Sequence, residues 1–144
     1  MDEVVSEEIA RLKPALEQEL TVYIEPVRLR ADASKLQQVV RNLLSNAGRH
    51  AETLIEVHLS TVRGNAVLTV INDGDTIAPE DREKVFERFV RLDASRARDT
   101  GGSGLGLAIS REIVRAHGGT VTVDDDPHGR CRFTVTLPLP QDAP

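Results

Sequence analysis

The chain has 144 residues, 40% of them hydrophobic, and carries 18 Lys and Arg against 23 Asp and Glu for a net charge of −5. That is the make-up of one globular domain able to bury a core, and it excludes disordered, collagen-like and low-complexity classes. An acidic balance, with one Tyr, three Phe and no Trp, provides neither a basic face for phosphate backbones nor platforms for stacked bases, so no nucleic-acid partner is expected. The lone Cys131 cannot close an internal disulfide, and no apolar run reaches the roughly 18 residues of a membrane helix, so the chain reads as a cytoplasmic domain.

Val5, Ile9, Leu12, Leu16 and Leu20 recur near helical spacing, which predicts one amphipathic surface helix, broken or restarted at Pro14. Residues 21–25 are rich in β formers and stop at Pro26, a short strand. Asp32, a good N-cap, opens the strongest helix, with Leu36, Val39, Val40, Leu43, Leu44 and Ala47 along its apolar face. Ile55, Val57 and Leu59 alternate with polar residues, and Gly64-Asn65 offers a two-residue turn into residues 66–71, which predicts an antiparallel hairpin. Pro79, Glu80 and Asp81 suit the first turn of a short helix carrying Val85, Phe86 and Phe89. Residues 91–103 hold one large apolar side chain, Leu92, and read as a loop. A second strong helix is expected over 104–117, with Leu105, Ala108, Ile109, Ile113 and Ala116 as its stripe and Gly118-Gly119 as its stop. Val121 and Val123, a turn over 124–129, and the alternation of Cys131, Phe133, Val135 and Leu137 predict a closing hairpin. The expected architecture is an α+β sandwich, a mixed sheet of about five strands with about three main helices on one face.

Three stretches carry the chemistry. On the long helix Asn42, Asn46, Arg49 and His50 form a polar stripe about 100° round from the apolar one, at the rim of the core. An Asn side-chain oxygen is a hard neutral ligand suited to Mg²⁺ beside a triphosphate; a solvated helix flank is the plainer reading. The second stretch, Gly102-Ser103-Gly104-Leu105-Gly106-Leu107, leads from a polar loop into a helix. Each glycine there costs roughly 1 kcal/mol unless something approaches closely, as a phosphate at the helix N-terminus would. The third, Asn72-Asp73-Gly74-Asp75-Thr76-Ile77, follows a hydrophobic strand and is either an ordinary turn or a grip on a base edge with Ile77 as an apolar wall.

In this order the three stretches resemble the catalytic and ATP-binding domain of bacterial sensor histidine kinases, within the superfamily shared with gyrase-type and chaperone ATPases. Residues 38–50 are similar to the family's asparagine box, 72–77 to its first glycine box, Phe86 to Phe89 to its phenylalanine box and 102–107 to its second glycine box. The resemblance implies a Bergerat-type sandwich with ATP and Mg²⁺ as cofactors and γ-phosphoryl transfer to a histidine. By the same resemblance Asn46 ligates Mg²⁺, Asn42 lines the same phosphate and metal site, and Arg49 and His50 reach the phosphates or ribose. Gly102, Gly104 and Gly106 let a lid backbone cradle the phosphates, Leu105 and Leu107 anchor that lid, and Arg96 or Arg98 contacts the γ-phosphate.

The pattern departs from the family at the first glycine box. Where the family reads Asp-x-Gly-x-Gly, this chain has Asn72, Asp73, Gly74, Asp75 and Thr76. An Asn amide can accept from the adenine amino group and donate to a ring nitrogen, so Asn72 is the expected adenine reader, with Asp73 in a shifted loop as the alternative. Gyrase-type relatives place a Glu one turn before the metal Asn; Asn42 stands there and cannot act as a general base, which predicts slow hydrolysis. None of the four histidines lies in the family's phosphoacceptor context. The chain is therefore expected to be an excised, monomeric piece of a homodimeric kinase whose partners are its own dimerisation and phosphoacceptor domain and a response regulator. A stand-alone anti-sigma-factor-type serine kinase and a degenerate docking module are the other classes that share these boxes.

Overall fold

The computed structural model describes residues 1–87 and 106–140. Residues 88–105, with Phe89, Arg96, Arg98, Gly102, Gly104 and Leu105, lie outside the described residues, as do 141–144. In chain order the main elements are α1 (Asp2–Leu12), β1 (Glu19–Ile24), α2 (Ala33–His50), β2 (Leu54–Val62), β3 (Asn65–Asn72), α3 (Gly106–Ala116), β4 (Thr120–Asp125) and β5 (Cys131–Pro138). The strands form one sheet in the order β1-β2-β3-β5-β4. β1 runs parallel to β2 through the α2 crossover, and the remaining neighbours are antiparallel. The expected α+β sandwich with a mixed five-stranded sheet is the fold observed.

One face of the sheet forms the core. Val57 pairs with Val70, Val70 with Phe133 and Phe133 with Val123, all buried beneath α2 and α3. The next row, Leu59, Leu68, Val135 and Val121, repeats the arrangement. The opposite face alternates to polar residues, as period-two burial requires. There Glu56 accepts from Arg130, Arg132 pairs with Asp124, and Tyr23 stacks on His58 with ring centroids 5.0 Å apart.

Several elements differ from the sequence expectation for local reasons. α1 ends at Leu12, and a 3-10 turn over Lys13–Ala15 takes over where Pro14 has no N–H to give; Leu16 is already extended and Leu20 belongs to β1. The β2–β3 turn is Arg63-Gly64, not Gly64-Asn65. Its φ values of 51° and 80° are both positive, as a tight hairpin turn of this kind demands, and Gly64 supplies the unstrained half. The short helix after Pro79 is two 3-10 turns, Pro79–Asp81 and Lys84–Phe86. Beyond β4 the turn is organised by Asp126, whose carboxylate accepts from the amides of His128 and Arg130 and from Arg130 Nε. On α3 the buried set is Ala108, Ser110, Ile113 and Val114; Ile109 is half-buried and Ala116 exposed. That helix touches both α2 and the sheet, which widens its buried arc beyond a single stripe.

Candidate functional site

The first and third chemistry-bearing stretches, and the described end of the second at Gly106, meet along α2. Asp32 starts this helix by accepting from the amides of Ser34 and Lys35, and Arg49 and His50 complement the negative end of its dipole in the last turn. Midway along, Asn42 Nδ2 donates to the Gly106 carbonyl at 3.0 Å and to Ser110 Oγ at 3.1 Å, which ties the first turn of α3 to α2. At its C-terminal end α2 meets the loop after β3. A Cβ on Gly74 would sit 2.4 Å from the His50 carbonyl, and φ there is +93°, so this close approach requires glycine.

Asp73 locks the same corner. Its carboxylate accepts from the amides of Glu52, Thr53 and Leu54 and from the Thr53 hydroxyl. Burial pushes this carboxyl up, but the hydrogen bonds from the Thr53 hydroxyl and the three amides outweigh it and hold the pKa at about 2. With its oxygens so engaged, Asp73 shapes the loop and is poorly placed to read a base.

Between the two corners stands Asn46, one turn from Asn42 and one from His50. The residue is only 8% exposed, and no described residue hydrogen-bonds its side-chain amide. A nearly buried amide lacking a protein partner is uncommon, since such groups are normally satisfied. No buried side-chain atom among the described residues is sealed off without a partner, so the Asn46 amide keeps an opening. Asn72, 1% exposed at the end of β3, donates Nδ2 to the Asp73 carbonyl at 2.7 Å, while its Oδ1 accepts nothing from the described residues. Two nearly buried amides whose oxygens receive no donor from the described residues, one on α2 and one at the end of β3, fit a magnesium nucleotide by the chemistry of the donor set: hard neutral oxygens for the cation and a hydrogen-bonding edge for the base.

The other expected residues are distributed around this centre. Ile77 and Leu107 are half-buried and pack against the core, and Thr76 is exposed. Arg49 is exposed and borders a shallow groove lined by Leu12, Leu16, Leu44 and Ser45. Gly106 opens α3, and a Cβ there would lie 3.6 Å from Asn42, ordinary contact that does not by itself require glycine. Two residues were not anticipated. Ser110 binds Asn42 from a fully buried position. Arg111 pairs with Glu83 at 3.0 Å and lies 5.4 Å from the Phe86 ring centroid, with that ring edge-on to Phe133. The only hint of Ser110 in the sequence is a hydroxyl inside an apolar helical stripe.

Residues 31–141 match the model of the histidine kinase-, DNA gyrase B- and HSP90-like ATPase family. The chain belongs to that family. Its relatives point to the sensor-kinase branch. It is 48% identical to the sensor protein RstB of Escherichia coli over 75% of this chain and 25% of that protein. It is 39% identical to the sensor histidine kinase CpxA of Escherichia coli over 79% of this chain and 25% of that protein. The chain thus spans about a quarter of the length of these curated relatives. Among solved structures, the mycobacterial sensor histidine kinase MprB superposes with a TM-score of 0.85 and 32% identity, covering 97% of this chain and 95% of that one. In this ATPase family, the expected assignment to the catalytic domain of a sensor histidine kinase holds.

Proposed function

We propose that this domain binds Mg-ATP between α2, the loop after β3 and the segment preceding α3, and passes the γ-phosphoryl group to a histidine on a separate dimerisation domain. In that reading residues 1–144 are the kinase module of a longer, homodimeric, two-component protein that in turn serves a response regulator. The observation that carries the reading is the Asn46 amide, nearly buried on α2 and without a hydrogen-bond partner among the described residues.

Asn46 is the metal-side ligand, with Asn42 beside it. Asn72 Oδ1 accepts from the adenine amino group, Ile77 forms an apolar wall, and Asp73 and Gly74 shape the loop that presents them. Arg49 and His50 reach the phosphates or ribose. Gly102, Gly104 and Gly106 cradle the phosphates between Leu105 and Leu107, and Arg96 or Arg98 meets the γ-phosphate. When bound, Mg²⁺ neutralises triphosphate charge. The protein's own work is to align the nucleotide and exclude water, because positioning and charge stabilisation supply most of the catalysis in phosphoryl transfer. Asn42 offers no general base to activate water, so hydrolysis stays slow and the phosphoryl group is kept for its acceptor.

Calorimetric titration with a non-hydrolysable ATP analogue tests this. The wild-type chain is expected to bind in a Mg²⁺-dependent manner. Asn46→Ala and Asn72→Ala are each expected to weaken binding tenfold or more, about 1.4 kcal/mol or above, with melting temperatures close to wild type. Full binding by both variants would remove these two amides from the site.

A further inference from the structure

Ser110 has no exposed surface, on a helix face it shares with the buried Ile113 and Val114. A hydroxyl sealed in such surroundings is destabilising unless it is hydrogen-bonded. Here it accepts one N–H of Asn42 at 3.1 Å, and the Gly106 carbonyl, one turn earlier on α3, accepts from the same nitrogen at 3.0 Å. A primary amide nitrogen has two protons, so both are spent on α3 and the sense of the Asn42 amide is fixed. Among the described residues nothing donates to Asn42 Oδ1, so its acceptor sites are what the amide has left to offer. Such an atom can ligate a hard cation or accept from the water bound to one, but it cannot donate to a phosphate oxygen. Asn46 stands four residues on, on the same face of α2.

We infer that Ser110 is a positioning residue of the nucleotide site: together with the Gly106 carbonyl it takes both amide protons of Asn42 and so presents Oδ1 as a metal-side acceptor beside Asn46. The inference rests on the Mg-ATP reading above. Its consequence is that metal affinity depends on how the first turn of α3 sits on α2, although neither Ser110 nor Gly106 offers a group to the metal.

The test is titration of the ATP analogue into wild type, Ser110→Ala and Ser110→Thr, each with Mg²⁺ and with EDTA. The Asn42 side-chain amide resonances are recorded in the nucleotide-free proteins. Ser110→Ala is expected to lower affinity about threefold to tenfold in Mg²⁺, the worth of one hydrogen bond. It should leave affinity in EDTA unchanged and shift the Asn42 amide resonances, while Ser110→Thr, which keeps the hydroxyl, behaves as wild type. An equal loss in Mg²⁺ and EDTA, no loss in Mg²⁺, or an equal loss in both variants overturns the positioning role while leaving the nucleotide site standing. A wild-type chain that binds in neither condition overturns the nucleotide reading and this inference with it.

Discussion

At the scale of single residues, the corner after β3 depends on a carboxylate that holds the loop together. Asp73 gathers three backbone amides and one hydroxyl, and Asp73→Ala leaves those donors at a half-buried loop without their acceptor. A loss of about 2 kcal/mol in stability is expected, measured by urea unfolding at neutral pH. The pH dependence has a definite sign. The folded-state pKa lies at about 2, below the usual 3.8, so the stabilisation is complete above that ordinary value and is lost as pH falls toward 2. The stability gap between wild type and Asp73→Asn is therefore widest near neutrality and closes between about pH 4 and pH 2. A gap that holds constant through that window would mean the carboxylate's charge contributes nothing. Cys131 is inert by contrast, its buried thiol pushed up to about 12.

At the scale of elements, what the sequence made legible was whatever depends on local periodicity. The α2 stripe from Leu36 to Ala47 and the alternation along β2 and β5 emerge as expected, because one face of each is buried. What it left hidden depends on neighbours distant in sequence. The parallel pairing of β1 with β2 follows from the α2 crossover, and the buried arc of α3 shifts toward Ser110 and Val114 because that helix packs on two partners. The α3–β4 connection shows the same contrast. Gly118-Gly119 reads as a helix stop, and Gly118 does turn left-handed at φ 79°. At Gly119, however, a Cβ would lie 2.1 Å from the Thr136 carbonyl of β5, a constraint written only in the folded state. Gly119→Ala is therefore expected to cost about 3 kcal/mol by forcing β5 aside. Gly64→Ala meets nothing within 4 Å and suffers only from its positive φ, about 1 kcal/mol. Chemical denaturation of the two variants side by side checks the order; equal losses would mean that β5 yields freely at Thr136.

At the scale of the whole molecule, the same division governs the site. Asn46 could be picked out because two Asn one turn apart at the rim of a helical core are poor helix formers, and Asn72 because residues 72–77 resemble a family box read along the sequence. The loop-holding role of Asp73 was hidden, because it shows only in the three amides it accepts from, brought together by the meeting of β3 with the end of α2. The histidines complete the picture. His117 is engaged by the Ile113 carbonyl and the Asp32 amide, and His58 lies on the polar face of the sheet, stacked on Tyr23 and bonded to Glu56. The candidate nucleotide site lies at α2, so the sheet separates His58 from it, and His128 sits in the Asp126 turn beyond β4. In-line transfer needs a free acceptor nitrogen within reach of the γ-phosphorus, whereas His58 Nε2 is bonded to Glu56 and both ring nitrogens of His117 are engaged. Incubated with γ-labelled ATP, this chain alone is expected to incorporate no acid-labile phosphate. Adding a dimerisation domain that carries an exposed histidine should give labelling of that domain in trans, abolished by Asn46→Ala. Acid-labile phosphate on this chain alone, removed by His58→Gln, would place an acceptor on the polar face of the sheet and overturn the division of labour proposed between this domain and a second one.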